Sequence, residues 1–538
     1  MKAQIKNFIF AGLGLFLMAS CNKTANLDDA SKAIPKDAVS VTAINAPSMF
    51  QKADFESVKQ MDFYKAMVDS ASSHNTTMAD ILRDPRKSGV DFTKNIYLVQ
   101  DYQIGKSDAG TVALMSLSNA GDFENLLKNS SKDVKIESKD GIKFIVSTPK
   151  TENTAPTNED GFNYADRNKE RATTVAWNDK MAIIGDFTEG GGFRKYFNLK
   201  AGETVAANAQ FGKLLAAKHD VYTYMSFDKL ADDASIKTGA GAMNIDPKDL
   251  KGNYAMGYAD FENGEIVSKS DYQINAGLRK EWGLMFKDNV KTDFSKYLKG
   301  NNLGFAMTLA LDMKGIKEII NTSPQLKGAI ELGKGSDSFS TDDIFKAFDG
   351  DVVVAAAPNV ANTSQSSDKK WAGMMGFKLQ DKATMLKLVN YLVAQKALVA
   401  EGGDVYHFSG AADMVANGYV DNGKLAIVDD VIFLGDATTV SGLKTGNSVT
   451  ADVKDILNKN IMGVYANFNQ IFATTEGLQN PQFGEMKMTM TGKNAEATLK
   501  TRDANENALK SLMKSINQWY LTQKAENAKR STDDRKII

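Results

Sequence analysis

Val39-Ser40-Val41-Thr42-Ala43-Ile44 alternates in the manner of a half-buried strand, and a helical segment follows it. Far along the chain, Leu303-Gly304-Phe305-Ala306-Met307-Thr308-Leu309 leads in the same way into Met313-Lys314-Gly315-Ile316-Lys317-Glu318-Ile319-Ile320. Outward from this pair the order of elements repeats. Val90-Asp91-Phe92 precedes the strand Ile96-Tyr97-Leu98-Val99, as Ala347-Phe348-Asp349-Gly350 precedes Val352-Val353-Val354. Thr111 to Leu117 then introduces a helix with Phe123, Leu126 and Leu127 on one face, and Met374 to Leu379 introduces one with Met385, Leu388, Val389, Leu392 and Val393 at helical spacing. Turn signals follow, Asp140-Gly141 and Asn178-Asp179 in the first stretch, Gly402-Gly403-Asp404 and Asn422-Gly423 in the second. Ile183-Ile184-Gly185-Asp186 has a counterpart in Phe433-Leu434-Gly435-Asp436, and the aromatic strand Tyr222-Thr223-Tyr224-Met225-Ser226-Phe227 in Val464-Tyr465-Ala466-Asn467-Phe468. Each stretch closes on a hairpin: Tyr254 to Asp260 turns at Asn263-Gly264 into Ile266 to Ile274, and Met486 to Met490 turns near Gly492 into Ala495 to Thr501.

The ordered set predicts an α+β fold of two tandem related units, with mostly antiparallel sheets backed by helices on one face. Length agrees, because 538 residues exceed what one core organises and about two to four domains are expected. The expected organisation is a signal peptide at 1–20, a flexible tether at 21–35, a first repeat at 36–276, a linker at 277–297, a second repeat at 298–522 and a charged tail at 523–538. Ser147 to Thr173 and Pro358 to Lys370 read as long polar loops.

Composition removes several function classes. Lys plus Arg is 65 and Asp plus Glu is 66, so the chain lacks the basic surplus of a general nucleic-acid binder. One Cys and three His exclude disulfide frameworks, zinc fingers and Cys–His nucleophile pairs by count. Lys2 and Lys6, the apolar run Phe8 to Met18 and the small pair Ala19-Ser20 form a signal peptide, and no later stretch is apolar for long enough to span a bilayer. The single cysteine, Cys21, stands immediately after Leu17-Met18-Ala19-Ser20. That placement resembles a bacterial lipobox, with Met18 where the common pattern has an aliphatic residue. It implies acylation of Cys21 and a membrane partner through an N-terminal lipid anchor. By resemblance to lipoprotein sorting rules, Asn22 implies the outer membrane, and the acidic pair Asp28-Asp29 points towards the cell surface.

Chemistry-bearing motifs are weak. His74 lies among Ser, Asn and Thr and reads as a loop residue; His219 suits a helix C-terminus; His407 reads as a strand position beside Tyr406 and Phe408. None neighbours a nucleophile in a motif, and no G-x-S-x-G elbow occurs. Ser366-Ser367-Asp368-Lys369, Lys237-Thr238-Gly239, Lys444-Thr445-Gly446 and Tyr465-Ala466-Asn467 supply the pieces of a penicillin-binding set in the wrong order. Phosphate cradles are missing, so no cofactor is implied, and Gly190-Gly191-Gly192 reads as a turn. Asp503-Ala504-Asn505-Glu506-Asn507 lacks the glycine of a calcium loop and reads as a helix start, Asp342-Asp343 reads as a helix or loop end, and no metal site is expected. Of the tryptophans, Trp519 is expected on the apolar face of the last helix. Trp177, beside a hairpin turn, is open between core and ligand groove, and Trp282 and Trp371 carry the same two readings.

Together, the lipobox, the opening Ile34-Pro35-Lys36-Asp37-Ala38-Val39, the element Phe348-Asp349-Gly350-Asp351-Val352 and the repeated plan resemble a Bacteroidetes lipoprotein family, domain of unknown function 4836. The resemblance implies location and architecture. That family carries no established activity, so it implies no catalytic residues. The functional expectation is a non-catalytic binding or interaction protein of the envelope with an unknown protein or glycan ligand. The alternatives are an envelope hydrolase using carboxylates or a serine without histidine, and a purely structural envelope protein.

Overall fold

The structure, a computed structural model, describes residues 28–101, 110–130, 134–147, 172–187, 192–228, 231, 245–298, 303–323, 326–327, 340–358, 371–409, 423–436, 439–440, 443, 449–473 and 482–534. The expected signal peptide, Cys21, the interior of both long loops, Gly190 and Gly191, and the motifs at Lys237, Ser366 and Lys444 lie outside these residues. The chain divides into two compact units: one comprises residues up to Lys237, Leu250–Ser268 and the segment from Asp503 onward, the other Thr238–Asp249 and Lys269–Arg502.

In unit 1 the strands are β1 (Ser40–Asn45), β2 (Asn95–Gln100), β3 (Thr111–Ser116), β4 (Glu137–Lys139), β5 (Ile142–Ser147), β6 (Ala172–Trp177), β7 (Met181–Phe187), β8 (Val221–Ser226), β9 (Tyr254–Glu262) and the start of β10 (Glu265–Gln273). Their spatial order is β4-β5-β6-β7-β3-β2-β1-β8-β9, antiparallel throughout. Unit 2 contains β11 (Phe305–Ala310), β12 (Phe348–Pro358), β13 (Trp371–Leu379), β14 (Leu398–Gly402), β15 (Val405–Phe408), β16 (Gly423–Val428), β17 (Val431–Asp436), β18 (Met462–Asn467), β19 (Phe483–Met490) and β20 (Asn494–Thr501). Their order is β14-β15-β16-β17-β13-β12-β11-β18-β19-β20, again antiparallel. The α+β class with antiparallel sheet backed by helices is therefore as expected. Asp140 and Gly141 join β4 to β5 with φ of 55° and 76°, the positive pair that a two-residue hairpin requires. Asn422 of the Asn422-Gly423 turn signal lies outside the described residues, Gly423 opens β16, and the β16–β17 hairpin turns at Asp429-Asp430.

Helices cover both faces of each sheet, not one. In β7, Met181 and Ile183 enter one core while Ala182 and Ile184 enter another. In β16, Leu425 and Ile427 enter one core and Ala426 and Val428 the other. The physical reason lies in runs such as Leu425-Ala426-Ile427-Val428, apolar at both parities: a one-sided sheet would leave every second residue in water. In unit 1, the helices Ala46–Ala53, Asp62–His74 and Ala120–Ser130 contribute Phe50, Tyr64, Phe123 and Leu127 to one core. The helix Ala209–Ala216 contributes Phe211 and Leu215 to the opposite one.

Three boundary expectations change. Residues 28–35 are not tether, because Ala30, Ala33 and Ile34 are buried in a core of unit 1. Residues 277–297 are not linker: Ala276–Met285 is a helix, and Val290, Phe294 and Tyr297 enter a core of unit 2. The last helix, Ala508–Asp534, belongs to unit 1 although it follows β20; Leu509 and Met513 join its core, and Lys510 Nζ reaches Asp54 Oδ2 at 2.7 Å. That helix continues into the expected charged tail as far as Asp534, since residues such as Lys524, Ala525, Glu526 and Ala528 are good helix formers.

Candidate functional site

A constellation of ionisable side chains in unit 1 forms where the helix Ala209–Ala216 hands the chain to β8. Asp220, placed just before that strand, has a side chain only 1% exposed. It accepts hydrogen bonds from Lys52 Nζ at 2.8 Å, from Phe261 N at 2.6 Å and from Ser48 Oγ, so helix Ala46–Ala53 and β9 converge on one carboxylate. Asp260 in β9 accepts from the Asp220 backbone N–H at 3.0 Å and lies 2.7 Å from His219 Nδ1. The imidazole stacks on Tyr258, with ring centroids 3.5 Å apart. Lys52 also reaches Glu262 Oε1 at 3.1 Å. Burial would push the Lys52 ammonium down, but its hydrogen bonds to Asp220 and Glu262 and their charge hold it above its ordinary value.

This arrangement ties elements together. Ser48 donates to a carboxylate and not to His219, and the Asp220 oxygens are occupied by an ammonium, a hydroxyl and a backbone amide. His219 stands beyond the helix end that the sequence assigned to it, and its partner is Asp260 rather than helix carbonyls.

Unit 2 has its own buried acid. Asp351, fully buried, accepts from Lys291 N at 2.9 Å, Thr292 N at 2.8 Å and Thr292 Oγ1 at 2.7 Å. Lys287 Nζ sits 2.5 Å from Asp351 Oδ1 and 2.5 Å from Asp349 Oδ1. Burial opposes the charge on Lys287, and its bonds to the two aspartates outweigh that and raise it. Gly350 between them has φ +108°, and a Cβ there would lie 2.1 Å from Leu311 O. Phe348-Asp349-Gly350-Asp351-Val352 is thus a structural clasp on the segment entering unit 2.

The other named residues disperse. His74 ends a helix rather than lying in a loop. His407 in β15 is half exposed, with Nδ1 3.2 Å from Glu401 Oε1. Trp177 is 1% exposed and meets Phe123 edge to face at 5.8 Å, which decides for core over groove. Trp282 packs on Phe286 at 5.0 Å, and Trp371 opens β13. Trp519, expected on the buried face of its helix, is 61% exposed, because the helix packs through Leu509, Met513 and Asn517 and Trp519 lies about 240° round the helix from Met513. Asp342 and Asp343 lie in the first turn of helix Thr341–Ala347, capped by Ser340. Asp503 to Asn507 form the turn before the last helix. Tyr465-Ala466-Asn467 lies in β18. Among the described residues no group of three His, Cys, Asp or Glu side chains could hold a metal ion, and no helix is long and apolar enough to cross a membrane.

Sequence reasoning missed Asp220 and Lys287 as organising residues. Asp220 meets Lys52 across 168 positions and Asp260 across 40, separations that carry no periodic signal.

No curated protein matches the sequence. Two solved structures are similar over part of the chain. Crystal form I of TP0453 is 10% identical, covering 46% of this chain and 79% of that one at a TM-score of 0.24. Crystal form III is 11% identical, covering 49% and 90% at the same TM-score. Likeness at that level carries no argument about fold or role. The family comparison reaches further: residues 31–397, well over half of the chain, match the pattern described as Domain of unknown function (DUF4836), and the chain belongs to that family.

Proposed function

We propose that this chain is a lipid-anchored protein of the bacterial outer membrane, held through Cys21, that works by binding a protein or glycan partner rather than by catalysis. Two copies of one α+β unit carry that role, a reading supported by the identical strand order of the two units. The observation that carries the non-catalytic reading is the fate of the buried carboxylates. Four aspartates are buried among the described residues, Asp28, Asp101, Asp220 and Asp351. Asp101 takes Lys195 Nζ at 2.5 Å and Tyr196 Oη at 3.1 Å, Asp220 and Asp351 take a lysine and backbone amides, and Asp28 takes Ser31 and Tyr97. Each side chain joins segments of the fold, and none is left poised as a general acid beside a nucleophile.

The test is metabolic labelling of cells with an alkynyl palmitate analogue, followed by protease shaving. The full chain is expected to take the label and the Cys21→Ala variant to lose it. Equal labelling of both, or none in either, overturns the anchor. Digestion of intact cells would place the units outside, whereas digestion only after lysis would place them in the periplasm.

A further inference from the structure

The start of the described chain is held onto unit 1 by a carboxylate in a dry place. Ser31–Ala33 make one 3-10 turn, and Ala30, Ala33 and Ile34 are buried beneath it. Ile34 O accepts from Val205 N at 2.8 Å, Lys36 N donates to Glu203 O at 2.8 Å, and Pro35 bridges Thr204. Asp28 Oδ1 accepts from Ser31 N at 2.7 Å, and Oδ2 receives the Tyr97 hydroxyl of β2 at 3.3 Å. Asp28 is only 6% exposed. Asp101, Asp220 and Asp351 each have a lysine in contact, and among the described residues Asp28 has none. An ionised carboxylate buried without a cation is costly unless hydrogen bonds replace its hydration.

We infer that residues 28–38 form a proton-sensitive latch, docked most tightly on β2 and on residues 203–205 when Asp28 is neutral and loosened when it ionises. Among the described residues, the charged and titratable groups around it are few. Lys94, just before β2, is the cation whose field reaches Asp28. Asp29 and Lys32 pair with each other at 3.4 Å on the exposed side, and Glu203 accepts from Lys200 N at 3.0 Å. Tyr97 is held far above its ordinary value by burial and by Asp28, so it stays a neutral phenol. Burial pushes Asp28 up to about 6, against the bonds from Ser31 and Tyr97 and the field of Lys94, which pull it down. An undocked aspartate ionises near 3.8. Docking is therefore fully supported below that pH and loses support as pH rises through about 6, one proton returning to solvent on release. Between pH 5 and 7.5 the docked-to-undocked ratio falls about tenfold. Freeing residues 28–38 would add about 35 Å of chain after Cys21. That consequence rests on the lipid-anchor reading; the latch itself does not.

The test is hydrogen exchange with mass spectrometry on the detergent-solubilised full chain at pH 5 and 7.5, corrected for intrinsic exchange rates. Amides of residues 31–39 are expected to lose about tenfold protection at the higher pH, while peptides from unit 2 stay constant. Asp28→Asn keeps the cap acceptor and is expected to be equally protected at both. Tyr97→Phe removes a donor that favours the ionised form, so Asp28 should hold its proton to higher pH and the loosening should run on above the wild-type range. Wild-type protection that ignores pH, or an Asp28→Asn variant that keeps the wild-type profile, overturns the latch. Failure of palmitate labelling would sink the anchor and leave this result standing.

Discussion

In unit 1 the buried acid Asp220 stands just before β8 and gathers a lysine and a serine from helix Ala46–Ala53 and an amide from β9. In unit 2 the buried acid Asp351 stands inside β12, opposite Ala310, and gathers Lys287 and the amides of Lys291 and Thr292. At the register position of Asp351, unit 1 has Asn95, opposite Asn45; at the position of Asp220, unit 2 has the buried apolar Ile461 before β18. Strand order and register are alike while the polar ties are not. Alternation of apolar residues across two cores specifies such a sheet, so buried charge is free to settle wherever a local pair of segments needs joining.

The sharpest way to break this comparison is Asp351→Ala. It strands Lys287 and two backbone amides in a buried place, at a cost of about 3–5 kcal/mol. Urea unfolding followed by hydrogen exchange should assign the loss to unit 2, and an equal loss in unit 1 would show that the two clusters are not built independently. Leu509→Ala comes next, at about 2–4 kcal/mol for a buried leucine. Its loss is expected in unit 1, since Leu509 lies in the core with Phe50 and Tyr64; a loss confined to unit 2 would overturn the assignment of the last helix. The smallest effect sharpens the comparison within unit 2. Burial would raise Asp293, but Lys454, Ser295 and Asn458 hold its carboxyl down to about 2. A depressed acid contributes stability above its unfolded value and loses it as pH falls through the folded one. With the side chain 41% exposed, the contribution is below about 1 kcal/mol. Denaturation of Asp293→Asn against wild type should show a small gap at pH 5 that closes near pH 2, and a gap that widens would contradict it.

Much of the sheet was legible in advance. The strands at Val39 to Ile44, Ile96 to Val99 and Ile183 to Asp186 announce themselves by apolar runs, and Asp140-Gly141 by the turn that only such residues accept easily. The covering of both faces was missed, although runs apolar at both parities, such as Leu425-Ala426-Ile427-Val428, need two cores. Segments at the margins were misread. Residues 28–35 look polar because Asp28, Asp29, Ser31 and Lys32 interrupt the apolar residues, yet Ala30, Ala33 and Ile34 suffice to seat one turn. Trp519 follows the helical spacing of Leu512 and Ile516, but the packed stripe runs through Leu509, Met513 and Asn517, and Trp519 lies off it.

By itself, then, the sequence determined the antiparallel α+β class and the succession of strands, because periodicity and turn chemistry are local. Only the tertiary structure decided that Asp220 would meet Lys52 and Asp260, that Lys287 would clasp Asp349 and Asp351, and that the last helix would return to unit 1. Those meetings join residues tens to hundreds of positions apart. Each is selected by the need to satisfy a buried charge or cover an apolar face once the strands have paired, and neither need leaves a pattern in the neighbouring sequence.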